Sequence, residues 1–214
     1  MMMQFAHKHL GKAEGHSFYK LMGSGKDLGF NPFPDWSVYA LLQVWDKESF
    51  ADQYFDTSLL HQRYLYHASE VSTIYLKNIS AGGKWSNKEP FEVSDELDPN
   101  NPQIAVITRA TIKISKLIKF WRYVPHSEKP LINNSDLIFT KGIGEAPIVQ
   151  MATFSLWKNI EAVKAFAYQS KAHQTAIQKT RKLKWYKEEL FSRFQPYKTR
   201  GVWEGKDLLN SSAN

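Results

Sequence analysis

The sequence predicts an α+β fold, an antiparallel sheet covered by helices on one face, and three observations carry that prediction. First, three stretches share one plan, a short apolar strand running into a helix: VYALLQVWDKESFADQYF (38–55), IAVITRATIKISKLIKFW (104–121) and QMATFSLWKNIEAVKAFAY (150–168). Second, further strand-like runs lie between them, at Ser72 to Lys77, Asp136 to Lys141 and Leu190 to Tyr197, with Pro and Gly at the joins. Third, 43% of the 214 residues are apolar and no low-complexity linker interrupts them, so residues 16–209 are expected to form one domain of repeated βα units. Residues 1–15 are expected to be a loose N-terminal segment and 210–214 a tail.

Each element has its local reason. In the first unit Val38, Ala40, Leu42 and Val44 alternate with Tyr39, Leu41, Gln43 and Trp45, so one strand face is apolar and the other mixed. In the second, Ile104, Val106, Ala110 and Ile112 oppose Ile107, Arg109 and Thr111. In the third, Ala152, Phe154 and Leu156 oppose Met151, Thr153, Ser155 and Trp157. The apolar faces are expected to carry the helices, and the mixed faces to wall a cavity or a subunit interface, since a solvated face has no use for two Trp. Trp45 and Trp157 fall in equivalent places of a weak internal repeat. Residues 159–189 hold no Gly or Pro and are rich in Ala, Lys, Gln and Glu, which predicts helix.

Composition narrows the chemistry. With no Cys there are no disulfides, thiolate metal sites or cysteine nucleophile, so a metal or haem would need His, Asp, Glu, Tyr or Met. The formal charge of +7 is spread along the chain, with one dense patch at Lys179 to Lys187, which gives little support to nucleic-acid binding and reads first as a solvated basic face. The start of the chain shows no signal-peptide pattern, and its densest apolar run, Val38 to Trp45, is too short to span a bilayer, so a cytoplasmic location, extending to the membrane surface, is expected. GSGKDLGF (23–30) departs from a phosphate-binding loop at Lys20 and Asp27 and reads as a Gly-rich turn; TKGIGEAP (140–147) reads as a bulged hairpin or turn from which Glu145 can face a site.

His173 lies among Ala162, Phe166, Gln169, Ala176, Ile177 and Thr180 at helical spacing and so faces inward. Three readings stand: a core histidine satisfied by one hydrogen bond, an axial ligand to haem iron, and a catalytic base. Two turns on, Arg181 offers a fork suited to a carboxylate such as a haem propionate, within what is otherwise a solvated basic face.

The motifs FYKLMGSG, GFNPFPDWSVYALLQVWD, GGKWSNKEPF, ITRATI, KGIGEAPIVQMATFSLW, FAYQSKAHQTAIQKTR, WYKEELFSRFQP and GVWEG together resemble the spheroidene monooxygenase family of carotenoid biosynthesis, from about Phe18 to Gly205. Asn87, in GGKWSNKEPF, departs from the small residue expected there. The resemblance implies a ferredoxin-like fold of the dimeric α/β-barrel type and a haem-dependent monooxygenase that oxygenates an acyclic carotenoid. On this sequence it places haem b on His173, with Arg181 beside it. Tyr39, Trp45, Met151 and Trp157 would then line a slot for the polyene, and Arg109 or Thr153 would donate a hydrogen bond to bound oxygen. No flavin or nicotinamide fingerprint is present, so electrons would come from an external donor such as a ferredoxin. A homodimer and peripheral membrane contact are further expectations, and nucleic acid is not an expected partner. The competing readings are a non-enzymatic haem or apolar-ligand binding protein of the same fold, and a basic interaction module.

Overall fold

The computed structural model describes residues 6–7, 9–11, 13–26, 31, 33–123, 131, 134–146, 148–169 and 183–210. Among the described residues there are seven strands: β1 His16–Gly25, β2 Pro34–Trp45, β3 Ser72–Gly83, β4 Ile104–Ile112, β5 Leu137–Ala146, β6 Gln150–Trp157 and β7 Tyr186–Gly201. Among the described residues four α-helices accompany them, here α1 Glu48–Thr57, α2 Leu59–His67, α3 Leu117–Tyr123 and α4 Ile160–Gln169, and a 3-10 turn, Ile114–Lys116, leads into α3. The strands are ordered β2-β1-β5-β6-β4-β7-β3. The run β4-α3-β5-β6-α4-β7 is a β-α-β-β-α-β unit whose strands lie in the order β5-β6-β4-β7, the ferredoxin-like connection. The pairs β4/β6, β4/β7, β5/β6 and β1/β5 are all antiparallel.

Two compact units divide the chain, one formed by Met1–Leu21, Leu41–Tyr75 and Lys198–Asn214, the other by Met22–Ala40 and Leu76–Tyr197. In the first, α2 starts where the Ser58 hydroxyl accepts from the His61 N–H at 3.3 Å. Ala6, Leu10, Tyr54 and Leu60 are buried together, with Leu41 and Trp45 of β2 packed against them.

In the second unit α4 starts where Asn159 accepts from the Ala162 N–H at 2.9 Å. Helix α4 covers Ile104, Val106 and Trp157 through Ala162, Val163 and Phe166. Helix α3 covers Ile112 and Met151 through Phe120, with Leu117 and Trp121 beside it and Trp185 completing the cluster. Since Ile104 pairs with Trp157 and Ala110 with Met151, both helices lie on the same side of β4 and β6, as expected.

The apolar face of β4 carries the helices, as its alternation predicts, but the assignment is reversed in β6 and β2. In β6 the helices cover Met151 and Trp157, and in β2 Leu41 and Trp45 join the helix-side cluster. The reason is that the other face of β6 is buried too, with Ala152 and Leu156 essentially inaccessible, so alternation there has no solvent side to report. Two elements also differ from the sequence reading. Strand β1 runs through Gly23 and Gly25, read as a turn, and Gly23 pairs with Gly144 of β5. Tyr186 to Glu189, read as the end of a long helix, begin β7, just after Lys184 leaves helical geometry at φ +45°.

Trp45 and Trp157 occupy matching places, each at the end of its strand and each against an aromatic residue nine positions on (45 to 54, 157 to 166). The Trp45–Tyr54 rings are 5.2 Å apart and the Trp157–Phe166 rings 5.3 Å. A second match follows β3 and β7, where the chain reads Gly-Lys-Trp-Ser-Asn-Lys (83–88) and Gly-Val-Trp-Glu-Gly-Lys (201–206). Both are two-residue hairpins closed by reciprocal backbone hydrogen bonds, Trp85 with Lys88 and Trp203 with Lys206. Their central residues all have positive φ, at 55° and 62° for Ser86 and Asn87 and 51° and 72° for Glu204 and Gly205. That is the twist a two-residue turn needs, and it explains why Asn is accepted at position 87.

Candidate functional site

The side of the β4/β6/β7 sheet away from the helices holds Arg109, opposite Ala152 on β6 and Leu190 on β7. Its side chain is 2% exposed. A buried guanidinium needs charged partners to offset its lost hydration, and two glutamates supply them. Arg109 Nη1 donates to Glu188 Oε2, and Nη2 lies 3.7 Å from Glu145 Oε2. Glu145 reaches inward from β5 at an irregularity in its pairing with β6, between Gly144 and Ala146, where the strand re-aims a side chain.

The hairpin after β3 completes the cluster. Trp85, essentially buried, donates its indole N–H to Glu145 Oε2 at 2.6 Å, and the Arg109 guanidinium lies over its ring, 5.6 Å from the centroid. The Glu188 carboxylate accepts the N–H groups of Ser86 at 3.0 Å and Asn87 at 2.7 Å. Burial pushes the Glu188 carboxyl up, but the two backbone N–H groups and Arg109 outweigh it and hold its pKa below the ordinary value. Arg109 Nε is buried without a hydrogen-bond partner. The two carboxylates hold the guanidinium from its Nη atoms and leave the Nε N–H as a buried, unengaged donor.

Arg109 and Thr153 leave opposite sides of the sheet, because Arg109 pairs with Ala152 while Thr153 pairs with Thr108. Met151 and Trp157 sit under α3 and α4 respectively, at the two ends of β6. Tyr39 is 54% exposed on β2. Trp45 belongs to the first unit, where it stacks on His16 with ring centroids 4.4 Å apart and lines a cleft of about 300 Å³ together with Ala13, Phe50 and Tyr54. His173 and Arg181 lie outside the described residues.

His16 has the electronic state that a metal-binding imidazole requires. Nδ1 is 2.6 Å from the Leu10 carbonyl oxygen, so it carries the proton, and Nε2 is buried with no partner. Burial lowers its pKa despite the Leu10 hydrogen bond, which keeps the ring neutral and the Nε2 lone pair free. No group of three or more His, Asp or Glu among the described residues is arranged to hold a metal ion by itself.

Sequence reasoning singled out Arg109 and Glu145 but missed Glu188, Trp85 and His16. The signal for Trp85 was the recurrence of Gly-x-Trp-x-x-Lys at 83–88 and 201–206.

No protein-family model matches the chain. It is similar to solved structures of candidate monooxygenases from Fusobacterium nucleatum (TM-score 0.44, 11% identity, 95% of this chain and 85% of that one) and Lactobacillus acidophilus (TM-score 0.42, 10% identity, 94% and 90%). Among curated sequences it is 41% identical over 196 residues to the spheroidene monooxygenase of Cereibacter sphaeroides, covering 91% of this chain and spanning 60% of that protein's length. The spheroidene monooxygenases of Rhodobacter capsulatus and Rubrivivax gelatinosus are 38% and 32% identical, with 81% and 73% of their lengths covered. At that identity over that much of both chains, this protein belongs to the spheroidene monooxygenase family.

Proposed function

We propose that this protein is an O2-dependent monooxygenase that uses haem b to oxygenate an acyclic carotenoid. The observation that carries the reading is its membership of the spheroidene monooxygenase family across 91% of the chain. Haem bound through an imidazole would supply activation of O2 for oxygenation of a C–H bond. The chain must then provide a neutral imidazole and an apolar surface for the polyene. His173 is the imidazole that the sequence favours; His16 is the described one whose protonation and free Nε2 suit the role. Trp45, which stacks on His16, lines a cleft with Phe50, Tyr54 and Leu59, whose remaining wall is polar, with Glu14, Gln53 and Ser58. Arg109 Nε is a fixed, always protonated donor that its carboxylate partners leave unengaged. Electrons would come from an external donor such as a ferredoxin.

The test is spectroscopic and then chemical. Purified with haem supplied, the wild type should show a Soret band, and one of His173→Ala and His16→Ala should lose it. A wild type that takes up no haem refutes the haem reading, and a band retained in both variants refutes both ligands. Expression in cells accumulating acyclic carotenoids should yield oxygenated pigment by chromatography. Haem uptake without such a product would make the protein a binding protein instead.

A further inference from the structure

The segment Lys113 to Arg122 faces two ways. Leu117, Phe120 and Trp121 turn inward onto Ile112, Met151 and Trp185. Ile114 and Ile118, four residues apart and so on one side of the turn and helix, are 79% and 74% exposed. Lys113, Lys116, Lys119 and Arg122 are interspersed with them along the chain, and the segment contains no acidic residue. A third isoleucine joins this surface. Trp121 donates its indole N–H to the Ile148 carbonyl at 3.3 Å, and Ile148 is 42% exposed. Its φ of +72° is a conformation that costs a β-branched residue energy, yet its side chain remains turned to solvent. The Lys113 ammonium donates to the Lys184 carbonyl at 2.8 Å, which brings a further lysine to the same end of the sheet.

We propose that this surface, Ile114, Ile118 and Ile148 together with Lys113, Lys116, Lys119 and Arg122, docks the protein on an anionic phospholipid bilayer. Charge complementarity selects the headgroups, and the isoleucines select a bilayer over a nucleic acid, because a phosphate backbone rewards the cations but leaves three aliphatic side chains in water. The aliphatic side chains enter the interfacial region while the lysine stems lie along it with their ammonium groups among the phosphates. The inference rests on this surface alone, and a chain that docks without oxygenating anything leaves it standing.

Vesicle co-sedimentation tests it on the whole chain. The protein should pellet with phosphatidylcholine vesicles containing about one-third phosphatidylglycerol, far less with pure phosphatidylcholine, and less again in about 0.5 M salt. Ile114→Ser/Ile118→Ser should weaken partitioning by about tenfold or more. Lys116→Gln/Lys119→Gln/Arg122→Gln should weaken it by about fivefold per charge removed. All five side chains lie outside the core clusters, so both variants should melt with the wild type. The proposal is overturned if the wild type stays in the supernatant with anionic vesicles, or if the double isoleucine variant binds them as the wild type does. It is equally overturned if duplex DNA competes the protein off the vesicles and the isoleucine variant binds that DNA undiminished, which would make the surface a phosphate-binding one.

Discussion

Replacing Glu188 by Gln probes the buried charge cluster with almost no change in volume. The amide oxygen can still accept one of the two hairpin N–H groups. Placed where Oε2 was, it keeps Ser86 and Arg109 Nη1 but without the negative charge, while its NH2 arm faces the Asn87 N–H. A hydrogen bond to a charged group contributes about 1.5–3 kcal/mol and a lost backbone acceptor about 1 kcal/mol more. Glu145, 3.7 Å from Nη2, keeps the guanidinium from becoming a wholly unpaired buried charge, so the net loss should be about 3 kcal/mol. For a chain of this length that lowers the melting temperature by roughly 6–12 °C, measured by circular dichroism, with urea titration giving the free energy directly. Adding Glu145→Gln should cost more than the two single changes summed, by about 1–3 kcal/mol, because only the double variant strips Arg109 of both charges. The pH dependence has a definite sign. Glu188 is held below its ordinary value, so its stabilisation is fully present above about pH 4.3 and disappears as pH falls through the lowered folded pKa. A Glu188→Gln protein within about 1 kcal/mol of wild type, or strictly additive with Glu145→Gln, would refute this account.

Gly83→Ala and Gly201→Ala should each destabilise by about 3 kcal/mol or more, since a Cβ would meet the backbone oxygen of Glu189 or Val71 at a φ of +93° or +76°; urea denaturation measures it. Asn87→Gly should raise stability by about 0.5 kcal/mol by removing the side chain from a φ of +62°, read as a small upward shift in melting temperature. Asp35 is held at about 2 by the Ser37 hydroxyl, then by the Ser37 N–H and Lys141, so its stabilising effect is present above about pH 4 and fades as pH falls towards that value. Ser37→Ala should raise the Asp35 pKa in a carboxyl NMR titration.

The sheet was legible where local pattern and burial agree. Strand β4 has one face under helices and an alternation that says so, and the aromatic partner of each strand-end Trp sits at a spacing visible in the sequence. Legibility failed where a strand is buried on both faces. In β6, Ala152 and Leu156 are as inaccessible as Met151 and Trp157, so hydrophobicity could not say which set meets a helix. Strand β1 was hidden by Gly23 and Gly25, which favour turns locally, although Gly23 and Ser24 are paired with β5. The Lys- and Glu-rich start of β7 reads as helix by propensity until pairing with β4 overrides it. The charge cluster was half legible. Arg109 stands out as a cation between apolar strand residues, but Glu188 looks like any surface glutamate until β7 is placed against β4 and the hairpin.

The repeat explains why only one of its copies became a charge cluster. In the first unit Glu70 accepts the N–H groups of Glu204 at 2.6 Å and Gly205 at 3.0 Å, as Glu188 accepts those of Ser86 and Asn87 in the second. Each glutamate precedes the residue whose carbonyl faces the hairpin's leading glycine, Val71 for Gly201 and Glu189 for Gly83. The clamp is therefore a folding device common to both copies. What differs is β4, which pairs with β7 and brings Arg109 to Glu188. Glu70 is exposed, and among the described residues no guanidinium is paired with it. Glu70→Gln should accordingly cost about 1 kcal/mol, the value of one hydrogen bond competing with water, against about 3 kcal/mol for Glu188→Gln. Equal losses in urea denaturation would mean that the clamp, and not the buried arginine, sets the energy of both sites.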